Sequence, residues 1–151
     1  MAASKKKQSG KSLEIYLPDL STSFELPLYE PPVSAGFPSP AEDYTDKSID
    51  LNKELIRNPY ATFLARVKGF SMKDAGIEPG DILVVDKSLE AQNDRIAVSF
   101  IDGDFVLKRI KKDKDCVWLM PENKDFTPLR ITAENDFCVW GIVTYVIKKL
   151  Y

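Results

Sequence analysis

Short segments rich in β-branched and aromatic residues follow one another from residue 62 to residue 147, and turn residues separate them. The segments cover residues 62–67, 82–86, 95–101, 104–110, 117–120 and 137–147. No long helical pattern lies between them, so no crossover helices are available to make a parallel sheet. The sequence therefore predicts an all-β body built mainly from antiparallel strands.

A hairpin and one short helix can be placed within this body. Asp102-Gly103 lies between two apolar runs, and Asp-Gly in that position is a strong hairpin signal because both residues tolerate positive φ. Residues 95–101 and 104–110 are therefore expected to pair with each other. Residues 50–57 read as the one good helical segment, and Asn58-Pro59 ends it.

Proline is concentrated at the start of the chain, where the first 40 residues hold six of the ten prolines. Each proline fixes its own φ and disfavours helix at the preceding residue, so this segment is expected to be extended. We interpret residues 1–40 as a mobile N-terminal arm and residues 41–151 as the folded domain. The arm is too short and too rich in proline for a helix-turn-helix.

Composition excludes several classes of function. The chain has no histidine and two cysteines, which removes the commonest catalytic base and rules out a four-cysteine zinc site. We therefore expect no metal and no cofactor. A net charge of -2 argues against a protein that mainly holds nucleic acid. The basic start lacks the apolar stretch of a secretory signal, so a cytoplasmic location is expected.

A lysine in the second hairpin strand is the candidate general base. Side chains alternate between the two faces of a strand, so Lys108 shares its face with Val106 and Ile110. One interpretation is a lysine whose stem covers apolar surface while its ammonium reaches water. The other is a desolvated lysine with a lowered pKa. In a chain without histidine, Lys108 is the best-placed candidate for a general base.

A serine between two predicted elements is the candidate nucleophile. Ser71 follows segment 62–67 and precedes a short segment that ends at Gly76. Ser71-x-x-Asp74 has the spacing of a capping box, which is the simpler interpretation. The alternative places the hydroxyl beside backbone N–H groups that can stabilise an oxyanion. The catalytic interpretation depends on Ser71 and Lys108 acting as a pair.

Three segments of the chain resemble the LexA/UmuD self-cleaving Ser-Lys peptidases. They are Gly69-x-Ser71-Met72, Phe105-Val-Leu-Lys108-Arg and Ala35-Gly36-Phe37-Pro38-Ser39-Pro40-Ala41-x-Asp43-Tyr44, with the serine and lysine 37 positions apart. The third segment looks like the cleavage region of the UmuD branch, although that branch commonly has Cys-Gly at the scissile bond. The resemblance extends from about residue 34 to the end of the chain, and the order and spacing of the segments make it specific.

The resemblance implies a LexA/signal-peptidase-like β domain that cuts its own chain. Ser71 would attack the carbonyl carbon of Ala35 in the Ala35–Gly36 bond, and neutral Lys108 would take its proton. The backbone N–H groups of Phe70 and Ser71 would hold the oxyanion. The arm would then be both the substrate and the segment that is removed.

The resemblance also implies partners. A RecA filament on single-stranded DNA would stimulate cleavage, and the shortened product, residues 36–151, would form a homodimer and join UmuC in the error-prone translesion DNA polymerase V. No membrane contact and no direct sequence-specific DNA binding are expected. Two alternatives stay open: a LexA-type repressor, and a non-catalytic dimeric module that regulates a polymerase.

Overall fold

The computed structural model describes residues 13–21, 25–27 and 48–151. These residues fall into two compact units, one formed by residues 13–18 and 58–151 and the other by the described residues between 19 and 57. The strands are β1 (Leu13–Tyr16), β2 (Glu25–Pro27), β3 (Ser48–Asp50), β4 (Thr62–Val67), β5 (Ile82–Asp86), β6 (Ile96–Ile101), β7 (Asp104–Lys112), β8 (Val117–Met120), β9 (Leu129–Ile131) and β10 (Phe137–Ile147).

The larger unit is one eight-stranded sheet with the strand order β1-β4-β5-β10-β6-β7-β8-β9. All its neighbouring strands pair antiparallel, which confirms the predicted fold class. The predicted hairpin is also present: Ile101 lies opposite Asp104, and Asp102 and Gly103 between them have φ values of 47° and 93°. No helix among the described residues is long and apolar enough to cross a membrane.

The smaller unit contains a two-stranded antiparallel pair, β2 with β3, and the short helix α1 (Leu51–Leu55). Asp50 caps this helix, because its side chain accepts a hydrogen bond from the Asn52 N–H at 3.0 Å. The helix ends before Asn58-Pro59, as the sequence predicts.

Strand β1 forms one edge of the main sheet and pairs with β4, with Leu13 opposite Val67. Leu13 is fully buried and Ile15 is 6% exposed, and both belong to one apolar cluster of the core. This part of the segment predicted to be a mobile arm is therefore a strand of the sheet. The alternation of Leu13 and Ile15 with Glu14 and Tyr16 is a strand pattern, but it is only four residues long and stands in a proline-rich context.

The two faces of β7 contribute to two different apolar clusters. Leu107 is buried in the first cluster, whereas Ile110 is buried in the second, with Val106 packed against it. Lys108 lies opposite Ala97, which belongs to the second cluster. Lys108 therefore stands on an aliphatic face of the strand, as the alternation in the sequence predicts.

Gly141 is a position where the packing of the sheet excludes a side chain. The register of β10 against β6 shifts between Val139 and Gly141, and a Cβ on Gly141 would lie 2.6 Å from Val85 Cγ1. Val85 is fully buried, and the same Cβ would also lie 3.3 Å from the Asp86 carbonyl oxygen and from Phe63 Cε1. We expect Gly141→Ala to lower the free energy of unfolding by about 1–3 kcal/mol, measured by urea denaturation.

Val85→Ala supplies the control, because it removes the methyl group that a new Cβ would meet. Each single substitution should destabilise the sheet, but the double variant Gly141→Ala/Val85→Ala should be more stable than the sum of the two effects. An unchanged urea midpoint in Gly141→Ala would contradict this account of the packing.

Candidate active site

Ser71 and Lys108 are in hydrogen-bond contact. The Lys108 Nζ donates to the Ser71 Oγ at 2.8 Å, although the two residues are 37 positions apart in the chain. The Ser71 hydroxyl donates in turn to the Leu107 carbonyl at 3.3 Å, and the serine is 8% exposed. Both residues singled out in the sequence therefore meet at strand β7.

An uncovered stretch of β7 makes room for this contact. The strand pairs with β6 from Asp104 to Arg109, but its pairing with β8 begins only at Arg109. Leu107 lies on the stretch that β8 does not cover, so its outward carbonyl can accept the serine hydroxyl. The turn that carries Ser71 therefore lies beside the stretch of β7 that β8 does not cover.

Ser71 does not cap the short helix that follows it, so the capping-box interpretation is wrong. Lys73–Ala75 form a single turn of 3₁₀ helix whose N-terminal cap is Met72, without a side-chain capping hydrogen bond. The Asp74 N–H, which a capping serine would satisfy, donates to the Glu122 carbonyl at 2.7 Å. The Ser71 hydroxyl instead engages strand β7.

Burial lowers the pKa of Lys108 from the ordinary lysine value, because the site solvates an ammonium less well than water does. Within the described part of the chain, no carboxylate forms an ion pair with it. The Phe126 ring lies 5.8 Å from Nζ, and such a contact favours the charged form. That distance is near the outer limit of about 6 Å for a cation–π contact, so desolvation dominates.

The carbonyl groups of Phe70 and Ser71 are both held in place. The Phe70 oxygen accepts from Asn123 Nδ2 at 2.9 Å and from the Lys73 N–H at 3.2 Å, and the Ser71 oxygen accepts from the Glu122 N–H at 2.8 Å. Among the described residues, the N–H groups of Phe70 and Ser71 form no hydrogen bond. They are the two donors that the family resemblance implies for an oxyanion.

The segment after β8 supplies contacts that sequence analysis missed. Glu122 holds the serine turn through both of its backbone groups, and its carboxylate pairs with Arg109 Nε at 2.5 Å. Arg109 also donates to the Asp94 carbonyl at 2.7 Å. Pro121 and Asn123 mark a loop in the sequence, but nothing in their spacing points to Ser71.

The remaining site predictions concern the cleavage site and metal binding. Ala35 and Gly36, the predicted cleavage site, lie outside the described residues. No group of three or more metal-ligating side chains occurs in residues 13–21, 25–27 and 48–151. The described site is thus a serine hydroxyl, a desolvated amine and two backbone N–H groups, which together are suited to acyl transfer.

Comparison with known proteins gives the family. The Peptidase S24-like family model matches residues 27–144. MucA of Salmonella typhimurium is 43% identical over 122 residues, which cover 80% of this chain and 82% of MucA. ImpA of Salmonella typhimurium is 37% identical over 133 residues, covering 87% of this chain and 90% of ImpA.

A LexA repressor is also similar, over a smaller share of its own length. The repressor of Acidithiobacillus ferrooxidans is 39% identical over 119 residues, which are 77% of this chain and 58% of the repressor. Together with the family model, these relatives confirm the resemblance to the LexA/UmuD group, and the chain belongs to the Peptidase S24-like family.

Proposed function

We propose that the chain is a UmuD-like serine endopeptidase that cuts its own Ala35–Gly36 bond with Ser71 as nucleophile and Lys108 as general base. The observation that carries this proposal is the 2.8 Å contact between a buried serine hydroxyl and a lysine whose pKa burial lowers. A serine needs an adjacent base to become a nucleophile, and the amine is in direct reach of it.

In the acylation step, neutral Lys108 accepts the proton of the Ser71 hydroxyl. This requires the hydroxyl hydrogen to turn from the Leu107 carbonyl towards Nζ, a rotation about one bond. The Ser71 Oγ then bonds to the carbonyl carbon of Ala35, and the carbonyl oxygen becomes an oxyanion. The N–H groups of Phe70 and Ser71 stabilise this negative charge.

The second half of the reaction returns the proton. Lys108 gives it to the Gly36 nitrogen as the bond to the Ala35 carbonyl breaks, which leaves an acyl-enzyme on Ser71. A water molecule then attacks the ester, and Lys108 again acts as the base. The products are residues 1–35 and residues 36–151, and the serine is restored.

The proposed cellular role follows the family resemblance. A UmuD-like protein acts in SOS mutagenesis after DNA damage: the RecA filament stimulates cleavage, and the product, as a homodimer, joins UmuC in polymerase V. This role places the chain in the cytoplasm. MucA and ImpA, which the chain matches over more than four fifths of their lengths, support this role over that of a repressor.

Self-cleavage provides the first test. Purified chain held at about pH 10, where more Lys108 is neutral, should convert to a product that begins at Gly36. Ser71→Ala and Lys108→Ala should each abolish this product, because one removes the nucleophile and the other the base. Mass spectrometry of the products identifies the bond that is cut.

Two matched variants control for indirect effects. Ser99→Ala removes another buried serine, and Lys112→Ala removes an exposed lysine of the same strand; both should cleave like wild type. A wild-type chain that stays intact with RecA, an ATP analogue and single-stranded DNA would overturn the peptidase proposal in favour of the non-catalytic module. Cleavage at another bond would overturn only the assignment of the Ala35–Gly36 site.

The lowered pKa of Lys108 predicts how rate and stability depend on pH. The first-order rate should rise about tenfold per pH unit while the amine is mostly protonated, and level off below the ordinary lysine pKa of about 10.4. The unfolded chain binds this proton more tightly than the folded chain, so burial of Lys108 costs stability below the folded pKa and costs none above the unfolded pKa.

Lys108→Met tests the stability half of this prediction, because it keeps an unbranched side chain and removes the titrating amine. It should be inactive, yet more resistant to urea than wild type at pH 7, with the difference shrinking as the pH approaches 10.4 (about the unfolded value). A variant that is less stable than wild type at pH 7 would contradict a desolvated lysine.

Asn123 tests the oxyanion donors. In a trans peptide the C=O and N–H groups point in opposite directions, so the Asn123 amide fixes the Ser71 N–H when it holds the Phe70 carbonyl. Asn123→Asp loses this donor but keeps the Oδ1 that accepts from the Asp125 N–H at 3.0 Å. We expect the plateau cleavage rate to fall by about 10- to 100-fold.

The pH profile separates geometry from charge in this test. Asn123→Ala should lower the plateau with the midpoint pH unchanged, and Asn123→Asp should lower it as well. Asn93→Asp adds the same charge away from the serine turn and should keep the wild-type plateau. A wild-type plateau in both Asn123 variants would show that the serine turn holds its shape without this hydrogen bond.

A further inference from the structure

Strand β1 covers the edge of the main sheet through a short stretch of pairing. It pairs with β4 over four residues, and it contributes two buried side chains, Leu13 and Ile15, to the core. Opposite them on β4 lie Val67 and Ala65, which are buried in the same apolar cluster. The inner side of the β4 edge is therefore an apolar strip that β1 shields from water.

The outer side of the same edge is basic. Glu14 of β1 lies opposite Arg66 of β4, and its carboxylate pairs with Lys68 Nζ at 2.6 Å. The Tyr16 hydroxyl donates to the same carboxylate at 2.5 Å. The β4 edge thus receives a strand in which an acidic residue stands between two apolar ones.

Covalent connection keeps this short strand in place. A four-residue strand that is part of the same chain is present at an effective concentration in the millimolar range. Cleavage between Ala35 and Gly36 would cut the link between β1 and the rest of the sheet. Among the described residues, the strand pairs that would then hold the fragment are short: β1 on β4 and the three residue pairs of β2 on β3.

We propose that self-cleavage makes β1 replaceable and opens the β4 edge to an extended segment of a partner protein with an apolar–acidic–apolar sequence. The partner would add a strand to the sheet, with its backbone hydrogen bonds giving affinity and its alternate side chains giving specificity. Its apolar residues would cover Ala65 and Val67, and its acidic residue would meet Arg66 and Lys68. This inference rests on the proposed cleavage before Gly36.

The experiment cuts the full chain without using its own activity. In a Ser71→Ala background, the recognition sequence of a site-specific protease replaces residues 28–34, and the folded protein is cut after purification. The probe is a fluorescein-labelled peptide of residues 11–18, and its binding is followed by fluorescence anisotropy. We expect the probe to bind the cut chain at least about 100-fold more tightly than the uncut chain, in which β1 competes at millimolar effective concentration.

Substitutions in the probe test the apolar contacts and the acidic contact separately. Leu13→Asp should abolish binding, and Glu14→Lys should weaken it by about tenfold or more, since it would face two cations. Leu17→Asp is the matched control, because Leu17 lies beyond β1, is half-exposed, and should bind like the unaltered peptide. Hydrogen exchange of the β4 amides should speed up after the cut and slow again with the probe bound.

Each other outcome overturns the inference. Equal binding to cut and uncut chains would show that the cut does not open the edge, and no binding to either would show that the edge is not a docking site. Loss of the strand signal in circular dichroism after the cut would mean that β1 is indispensable to the sheet. Because the added protease makes the cut, failure here is distinguishable from failure of self-cleavage.

Discussion

The hydrogen bond between the Lys108 amine and the Ser71 hydroxyl sets the constraint on the rest of the active-site region. Burying an ammonium is unfavourable, and aliphatic neighbours on β7 therefore lower the pKa of Lys108. The sheet must provide these neighbours and still leave the tip of the lysine within reach of a serine. The stretch of β7 left uncovered by β8 meets the second need. It leaves the Leu107 carbonyl free to accept the Ser71 hydroxyl, and the Ser71 Oγ then lies 2.8 Å from the Lys108 amine.

Both faces of strand β7 contribute side chains to the site. Lys108 lies on one face, while Arg109 on the other pairs with Glu122, whose backbone holds the serine turn. The Arg109–Glu122 ion pair therefore ties the segment that holds the serine turn to the strand that carries Lys108. This link helps to keep the Ser71 hydroxyl and the Lys108 amine in contact, and a misplacement of about 1 Å is enough to slow a reaction about 100-fold.

Local signals predicted six of the eight strands of the main sheet and singled out Ser71 and Lys108, which are in contact; strands β1 and β9 were not predicted. Asp102-Gly103 specifies its hairpin within a few residues, and the face shared by Val106, Lys108 and Ile110 is readable in one strand. Strand β1 carries only a four-residue alternation, and its partner β4 is distant in sequence. The capping-box error has the same origin, since the Asp74 N–H finds its acceptor on Glu122, 48 positions away.

Strand β1 belongs to the fragment that the proposed self-cleavage would release, and it is also part of the core. Fully burying one aliphatic side chain stabilises a fold by about 1.5–3 kcal/mol, and β1 buries two, against a typical net stability of about 5–15 kcal/mol. In the proposed self-cleavage the substrate is tethered and always present, so the encounter would not limit the reaction and control would act on docking or on the protonation of Lys108. Detaching β1 would weaken the sheet and uncover its β4 edge at the same moment. A partner strand that pairs with this edge would therefore restore stability, and its binding would depend on the cut.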